Sequence, residues 1–246
     1  MPGGCRMSRW SQHEGNGIRR VRACHTGLSG PRDGIRVRVC CDGTVPQFVP
    51  ITQDGLADLL VDRLRALPGR RVIAIDASDA AEPVAFARRA AERLRGTGRS
   101  ADVVALHDYV RPASLRMGFG REDEFSYRTA WFDYDAVRRE VIDALREHGR
   151  WLPALWDETA DRSARAAVRP APADLVLFLA GPMLLGRDLA VDLSVRLALS
   201  EAALRRRTPP EEHWTIPALL SYDRENPEPP TFSARWDHPD RPALST

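Results

Sequence analysis

The sequence predicts an α/β protein with a doubly wound, mostly parallel sheet flanked by helices, and three observations carry that prediction. Val72 to Asp76 is a short apolar run that passes through a tight loop into a helical stretch, Pro83 to Arg95. Asp174 to Ala180 (DLVLFLA) is apolar at nearly every position, as a parallel strand covered on both faces requires. Around these, runs of strand length alternate with segments of helical period, the order that right-handed crossovers produce.

The 246 residues suffice for one such domain and a tail. The expected division is a tail over 1–47 and an α/β domain over 48–246. The tail is rich in Gly, Arg, Ser and Cys and shows no apolar period, so it buries too little surface to offset the entropy of ordering. It reads as disordered, or as upstream sequence added by a wrongly chosen start codon; a basic arm for nucleic acid is the functional alternative. In the domain, Leu56, Leu59, Leu60, Leu64 and Leu67 recur at helical spacing and Pro68–Gly69 ends the segment. After the loop and helix of 77–95, Ala101 to Leu106 is a second strand, ending in His107, Asp108 and Tyr109. Arg111 to Trp131 reads as a long connection. Asp135 to His148 is an amphipathic helix with Val137, Val141, Ile142 and Leu145 on one face, and 151–173 is irregular. Beyond Asp174–Ala180, Leu193 to Leu199 reads as a strand and Ser200 to Arg207 as a helix with Ser200 as N-cap. A further helix lies between Glu211 and Asp223, and a last strand near Phe232 to Trp236.

Composition narrows the function. Residues 1–47 hold eight basic and three acidic residues; the remainder holds twenty-eight and thirty-one, so the body is mildly acidic and offers no nucleic-acid face. No segment has the length and apolarity of a membrane span, and the start lacks the order of a secretory signal. All four cysteines, Cys5, Cys24, Cys40 and Cys41, fall in the tail without C-x-x-C spacing, which disfavours a zinc site with His13 or His25. A cysteine-free body fits the cytoplasm. All thirty-six cationic side chains are arginine, so no lysine is present anywhere.

That last fact bears on the loop after Asp76. Strand, tight loop and helix form the frame of the phosphate-binding loop G-x-x-x-x-G-K-S/T, whose glycines admit phosphate to backbone N–H groups, whose lysine reaches the terminal phosphates and whose hydroxyl holds magnesium. The same eight places here hold Ala77, Ser78, Asp79, Ala80, Ala81, Glu82, Pro83 and Val84. Pro83 removes a positive charge, Glu82 adds a negative one, and Val84 offers magnesium no oxygen. At about 4 Å and an effective dielectric near 20, each unit-charge contact is worth roughly 4 kcal/mol, so triphosphate binding is strongly disfavoured. The same residues also read as a helix start, with Asp79–Glu82 at capping-box spacing and Pro83 in the first turn.

Several stretches together resemble the uridine kinase family of P-loop nucleoside kinases, particularly its divergent actinobacterial-type members. Relatives read approximately IDG-x-D-A-A-G-K-T-T-F-A at the loop, against IDASDAAEPVAFA from Ile75 to Ala87. The family's D-D-F-Y-R-P corresponds to HDYVRP from His107 to Pro112. Its V-L-I-V-E-G-x-x-L-L corresponds to LVLFLAGPMLL, with Ala180 in place of the glutamate and Gly181 retained, and WDHPDRPAL resembles its closing strand and turn. The resemblance runs from about residue 56 to 244 and lacks the glycine, lysine and hydroxyl of the Walker A loop.

The resemblance implies a small-molecule nucleoside or nucleotide as partner. Where the family activity is retained, it implies ATP and magnesium as cofactors and transfer of phosphate to a nucleoside 5′-hydroxyl. Asp76 to Val84 would then be the degenerate nucleotide loop. His107, at the place of the family's base, and Asp108, replacing or orienting it, are the catalytic candidates, with a merely hydrogen-bonded histidine as the alternative. Tyr109 and Arg111 would contact the nucleoside. Arg205, Arg206 and Arg207 occupy the place of the family's lid, or else complement a helix dipole. Asp157 and Asp161 lack a third metal ligand at known spacing, and Trp131, Trp151, Trp156, Trp214 and Trp236 read as packing residues. A non-catalytic relative that binds a nucleoside, nucleotide or protein for regulation is the competing expectation.

Overall fold

The computed structural model describes residues 47–245. The tail expected over 1–47 lies, but for Gln47, outside the described residues, as do the four cysteines, His13 and His25. Seven strands form one sheet: β1 (Phe48–Pro50), β2 (Arg71–Asp76), β3 (Ala101–Ala105), β4 (Val176–Gly181), β5 (Leu193–Ala198), β6 (Phe232–Arg235) and β7 (Ala243–Ser245). Their order is β1-β7-β6-β5-β2-β4-β3. The five strands from β6 to β3 are parallel, with Asp76 opposite Gly181 and Arg196; β7 and β1 add an antiparallel edge. The chain runs from β2 outward to β3, returns to β4 and then crosses to β5 on the far side of β2. That reversal opens a crevice at the carboxyl ends of the central strands.

Side chains alternate across the sheet and build two cores. Ile73, Ile75, Phe178 and Val195 face α1 (Gln53–Arg65) and α2 (Pro83–Gly96). Val72, Ala74, Leu177 and Leu179 face the opposite layer, which includes α3 (Ala113–Arg116), α4 (Glu124–Thr129), a helical run over 134–148 called α5, and, after α6 (Glu201–Arg207), the helix α7 (Thr215–Glu225). Thr52 caps α1 by accepting the Gly55 amide at 2.9 Å. Its buried stripe is Leu56, Ala57, Leu60, Val61 and Leu64; Leu59, expected on that face, is turned outward.

Other expectations need adjustment. The connection over 111–131 contains α3 and α4. The amphipathic α5 buries the expected Val137, Val141, Ile142 and Leu145 but passes through a π-helical turn at Arg138–Asp143. There the Leu152 amide donates to the Glu140 carbonyl at 3.0 Å and draws it from the helical ladder. The irregular stretch forms two small ladders, Trp156–Asp157 with Arg162–Ser163 and Arg150–Trp151 with Arg169–Pro170. The short edge strands β1 and β7 carry too few residues to show an alternating pattern. Among the described residues no helix is long and apolar enough to cross a membrane.

Candidate functional site

β2 ends in Asp76, a buried carboxylate held by two residues. Its Oδ1 accepts the Leu184 amide at 2.7 Å and its Oδ2 accepts Arg196 Nε at 3.0 Å, while Arg196 Nη2 stands at ion-pair distance, 2.9 Å, without a hydrogen bond. Burial pushes this carboxyl up against the pull of Arg196. Beyond it the loop keeps the turn its frame implies. Ser78 is extended, Asp79–Ala81 form one 3-10 turn, and Glu82 stands in the left-handed region at φ 56°, ψ 52°. Glu82 occupies the place of the motif's second glycine, where a backbone of this shape carries a cost of about 1–2 kcal/mol for any other residue. The Ala81 amide donates to the Ser78 carbonyl at 2.9 Å and the Glu82 amide to the Asp79 carbonyl at 2.8 Å. Pro83, first residue of α2, has no N–H to offer. The expected capping box does not form: Glu82 makes no side-chain cap, and the Asp79 carboxylate goes to His107 instead.

His107 lies in a single 3-10 turn, Leu106–Tyr109, at the end of β3. Its Nδ1 is 2.7 Å from Glu158 Oε2 and its Nε2 is 3.0 Å from Asp79 Oδ2. Burial alone would lower its pKa, but hydrogen bonds and charge from both carboxylates override that and raise it to about 10. Both nitrogens therefore carry protons and donate at neutral pH. Such an imidazolium accepts no proton, which counts against the expected role of His107 as base. Glu158 stays ionised: burial works against its charge, while His107, Arg116 and the Trp131 indole N–H lower its pKa. Arg116 Nη1 donates to Glu158 Oε1 at 2.8 Å and lies over the Trp131 ring at 5.1 Å.

The other substrate-side candidates are not brought together with His107. Asp108 faces the groove between α2 and the 153–169 stretch, beside Arg88 and the Ala105 amide, and burial raises its pKa. It serves the outer edge of β3, where Arg95 Nε likewise satisfies the Ala101 carbonyl at 3.1 Å and Asp102 Oδ1 the Val103 amide at 2.8 Å. Tyr109 is fully buried, and its hydroxyl donates to the Leu152 carbonyl at 2.6 Å; burial pushes the phenol up. Arg111 lies outside the cleft lining, its amide donating to Trp131 O. Arg205 pairs with Glu201 at 2.8 Å and Arg206 donates to Asp237 O at 3.1 Å. Arg207 alone of the three reaches the cleft, anchored by Nη1 to Trp236 O at 3.1 Å, with Nη2 4.0 Å from Glu82 Oε1.

The cleft itself, about 460 Å³, opens between Ser78–Ala80, His107 and the segment 207–219. Its wall is aromatic: Tyr127, Trp131 and Trp214 meet with ring centroids 5.4–5.5 Å apart. Trp131 and Trp214 thus pack, as expected, and also line the cleft; Trp151 and Trp236 pack away from it, Trp151 at the edge of a separate groove beside Arg169. Sequence reasoning missed Tyr127, Glu158 and Glu212. Glu158 stood between the two aspartates weighed as metal ligands, yet Asp157 caps the Ala160 amide at 2.9 Å and Asp161 takes the Ala113 amide at 2.9 Å. Among the described residues no group of three His, Cys, Asp or Glu side chains could hold a metal ion.

Nor do the loop residues fit the ATP and magnesium that the resemblance implies, since carboxylate, proline and valine stand where glycine, lysine and hydroxyl are needed and the Ala81 and Glu82 amides are bonded within the turn. No family model matches the chain, and neither does any curated protein sequence. Solved structures do match in fold. A possible uridine kinase from Bacillus stearothermophilus is similar at TM-score 0.57 and 19% identity, over 70% of this chain and 91% of that one. A proposed fructose transport system kinase from Silicibacter sp. TM1040 is similar at TM-score 0.54 and 22% identity, over 72% and 90%. The chain therefore shares the fold of these two kinases, on a loop whose left-handed turn is made by Glu82 and not by a glycine.

Proposed function

We propose that this chain is a non-catalytic relative of the small-molecule kinases whose fold it shares, binding a small organic molecule in the cleft beside His107 to serve regulation rather than phosphoryl transfer. One observation carries the reading: the loop that would cradle a triphosphate has its Ala81 and Glu82 amides bonded within the turn, followed by a proline with no amide. Phosphoryl transfer depends on neutralising charge around the moving phosphate. Here Glu82 adds charge of the wrong sign, and Arg207 is anchored to Trp236. On the acceptor side, His107 is an imidazolium between two carboxylates, and Asp108 faces another groove.

Calorimetric titration of the purified protein tests this. ATP–magnesium is expected to show no binding up to millimolar concentration, while the cleft retains affinity for small uncharged or cationic molecules, nucleosides among them. Nucleoside-dependent release of ADP that disappears in His107→Ala or Asp108→Ala would overturn the proposal and restore the kinase reading.

A further inference from the structure

The cleft contains polar groups that the protein itself does not satisfy. Tyr127 is only 5% exposed and lines the cleft, yet its hydroxyl has no hydrogen-bond partner among the described residues. Asp79, Glu212 and Glu158 line the same cleft as this phenol, and after burial itself their charge is among the causes that raise its pKa. Glu212 likewise makes no side-chain hydrogen bond or ion pair among the described residues. Asp79 spends Oδ2 on His107.

The charges do not cancel. Glu158 is answered by Arg116 and His107, Asp79 shares His107, and Arg207 stands near Glu82. Four carboxylates then face three cations, and one negative charge is left in the cleft that Glu212, Asp79 and Tyr127 line together. A group that satisfies two carboxylates and a phenol at once must donate several hydrogen bonds and bring a positive charge. Beside it stand the Trp131, Trp214 and Tyr127 rings, which favour an apolar body and attract a cation over their faces. A phosphate or carboxylate would meet the same groups with the wrong sign.

We propose that the cleft is a site for an organic cation, an amine carried on a flat apolar body, with the ammonium bound by Glu212, Asp79 and the Tyr127 hydroxyl and the body lying against Trp131 and Trp214. This rests on the reading of the cleft as a binding site and names its ligand class. Three probes share one indole body and differ in the charge of the head group: tryptamine, tryptophol and indole-3-propionate. Titrated into the full chain by calorimetry, tryptamine should bind about tenfold more tightly than tryptophol, and indole-3-propionate should not bind. Glu212→Gln changes an exposed side chain and should weaken tryptamine about tenfold while leaving tryptophol unchanged; Tyr127→Phe should weaken tryptamine as well.

Equal affinity for tryptamine and tryptophol, absence of tryptamine binding, or an unchanged tryptamine affinity in Glu212→Gln would overturn the assignment. An uncharged nucleoside that binds in the absence of ATP binding, with tryptamine no better than tryptophol, removes the cation and leaves the non-catalytic reading intact. ATP-dependent turnover removes that reading on separate grounds.

Discussion

Two carboxylates on one imidazole change what that imidazole can do. At the end of β3 a histidine invites a role as base, because its ordinary pKa lies near neutrality. Asp79 comes from the loop after β2 and Glu158 from the 156–163 hairpin, far apart in sequence, and together they hold His107 as a cation that ties loop to hairpin. The folded value, about 10, lies above the ordinary 6.5. The stabilisation from this clamp is therefore fully present below about pH 6.5 and fades as pH rises through about 10. The gap in unfolding free energy between the native chain and His107→Gln should be widest near about pH 6 and close by about pH 10, as read from urea melts at each pH. A gap that widens with pH would show that the imidazole is neutral. His107 was legible as a candidate because it lies at a strand end, and Asp79 as a residue of the degenerate loop; Glu158 was not, since nothing local links a hairpin glutamate to a residue 51 positions earlier.

Among the elements, β4 shows how one small residue sets the site. Gly181 lies where β4 meets the turn after β3, and a Cβ placed there would stand 2.4 Å from Leu106 Cβ. Its partner across the ladder is Asp76, and its carbonyl accepts the Ala77 amide at 3.1 Å, so a displaced β4 would displace the loop. Gly181→Ala should destabilise the protein by about 1–3 kcal/mol, the usual cost of overpacking, measured by denaturant unfolding. Adding Leu106→Ala should not restore stability, because the atom struck is a Cβ that alanine retains. Rescue by that second change would mean the clash is relieved at the side-chain tip. The strands β2, β4 and β5 and helices α1, α2 and α6 were readable from apolar period and caps, Ser200 included, which accepts the Ala203 amide at 3.3 Å. The π turn in α5 was not, for it follows from an amide that arrives from Leu152.

For the whole molecule, the question is whether the fold still presents a nucleotide loop once its signature residues are gone. The left-handed turn at Glu82 and the lead into α2 are in place, held by the sheet below. A fourfold change, Ala77→Gly, Glu82→Gly, Pro83→Lys and Val84→Thr, supplies the glycines, cation and hydroxyl together. ATP–magnesium binding should then be detectable by calorimetry where none is expected of the native chain. If the changed protein folds and still ignores ATP, the obstacle lies outside the loop, in the Asp79–His107 contact at its edge or in the acidic cleft.

The alternation of apolar runs and helical periods by itself determined that this chain folds as a parallel α/β layer structure, because burying both faces of a central sheet leaves a legible mark on its central strands. The residues of 77–84 by themselves showed that the glycine, lysine and hydroxyl of a triphosphate loop are absent, because that chemistry is recognised by particular side chains at fixed spacing. Only the tertiary structure decided which polar groups meet. It turned Asp108 and Tyr109 away, brought Glu158 and Asp79 onto His107, and set Tyr127 and Glu212 across one cleft. Those pairings join side chains from separate elements, and no local pattern encodes a distance that only the packing of those elements sets.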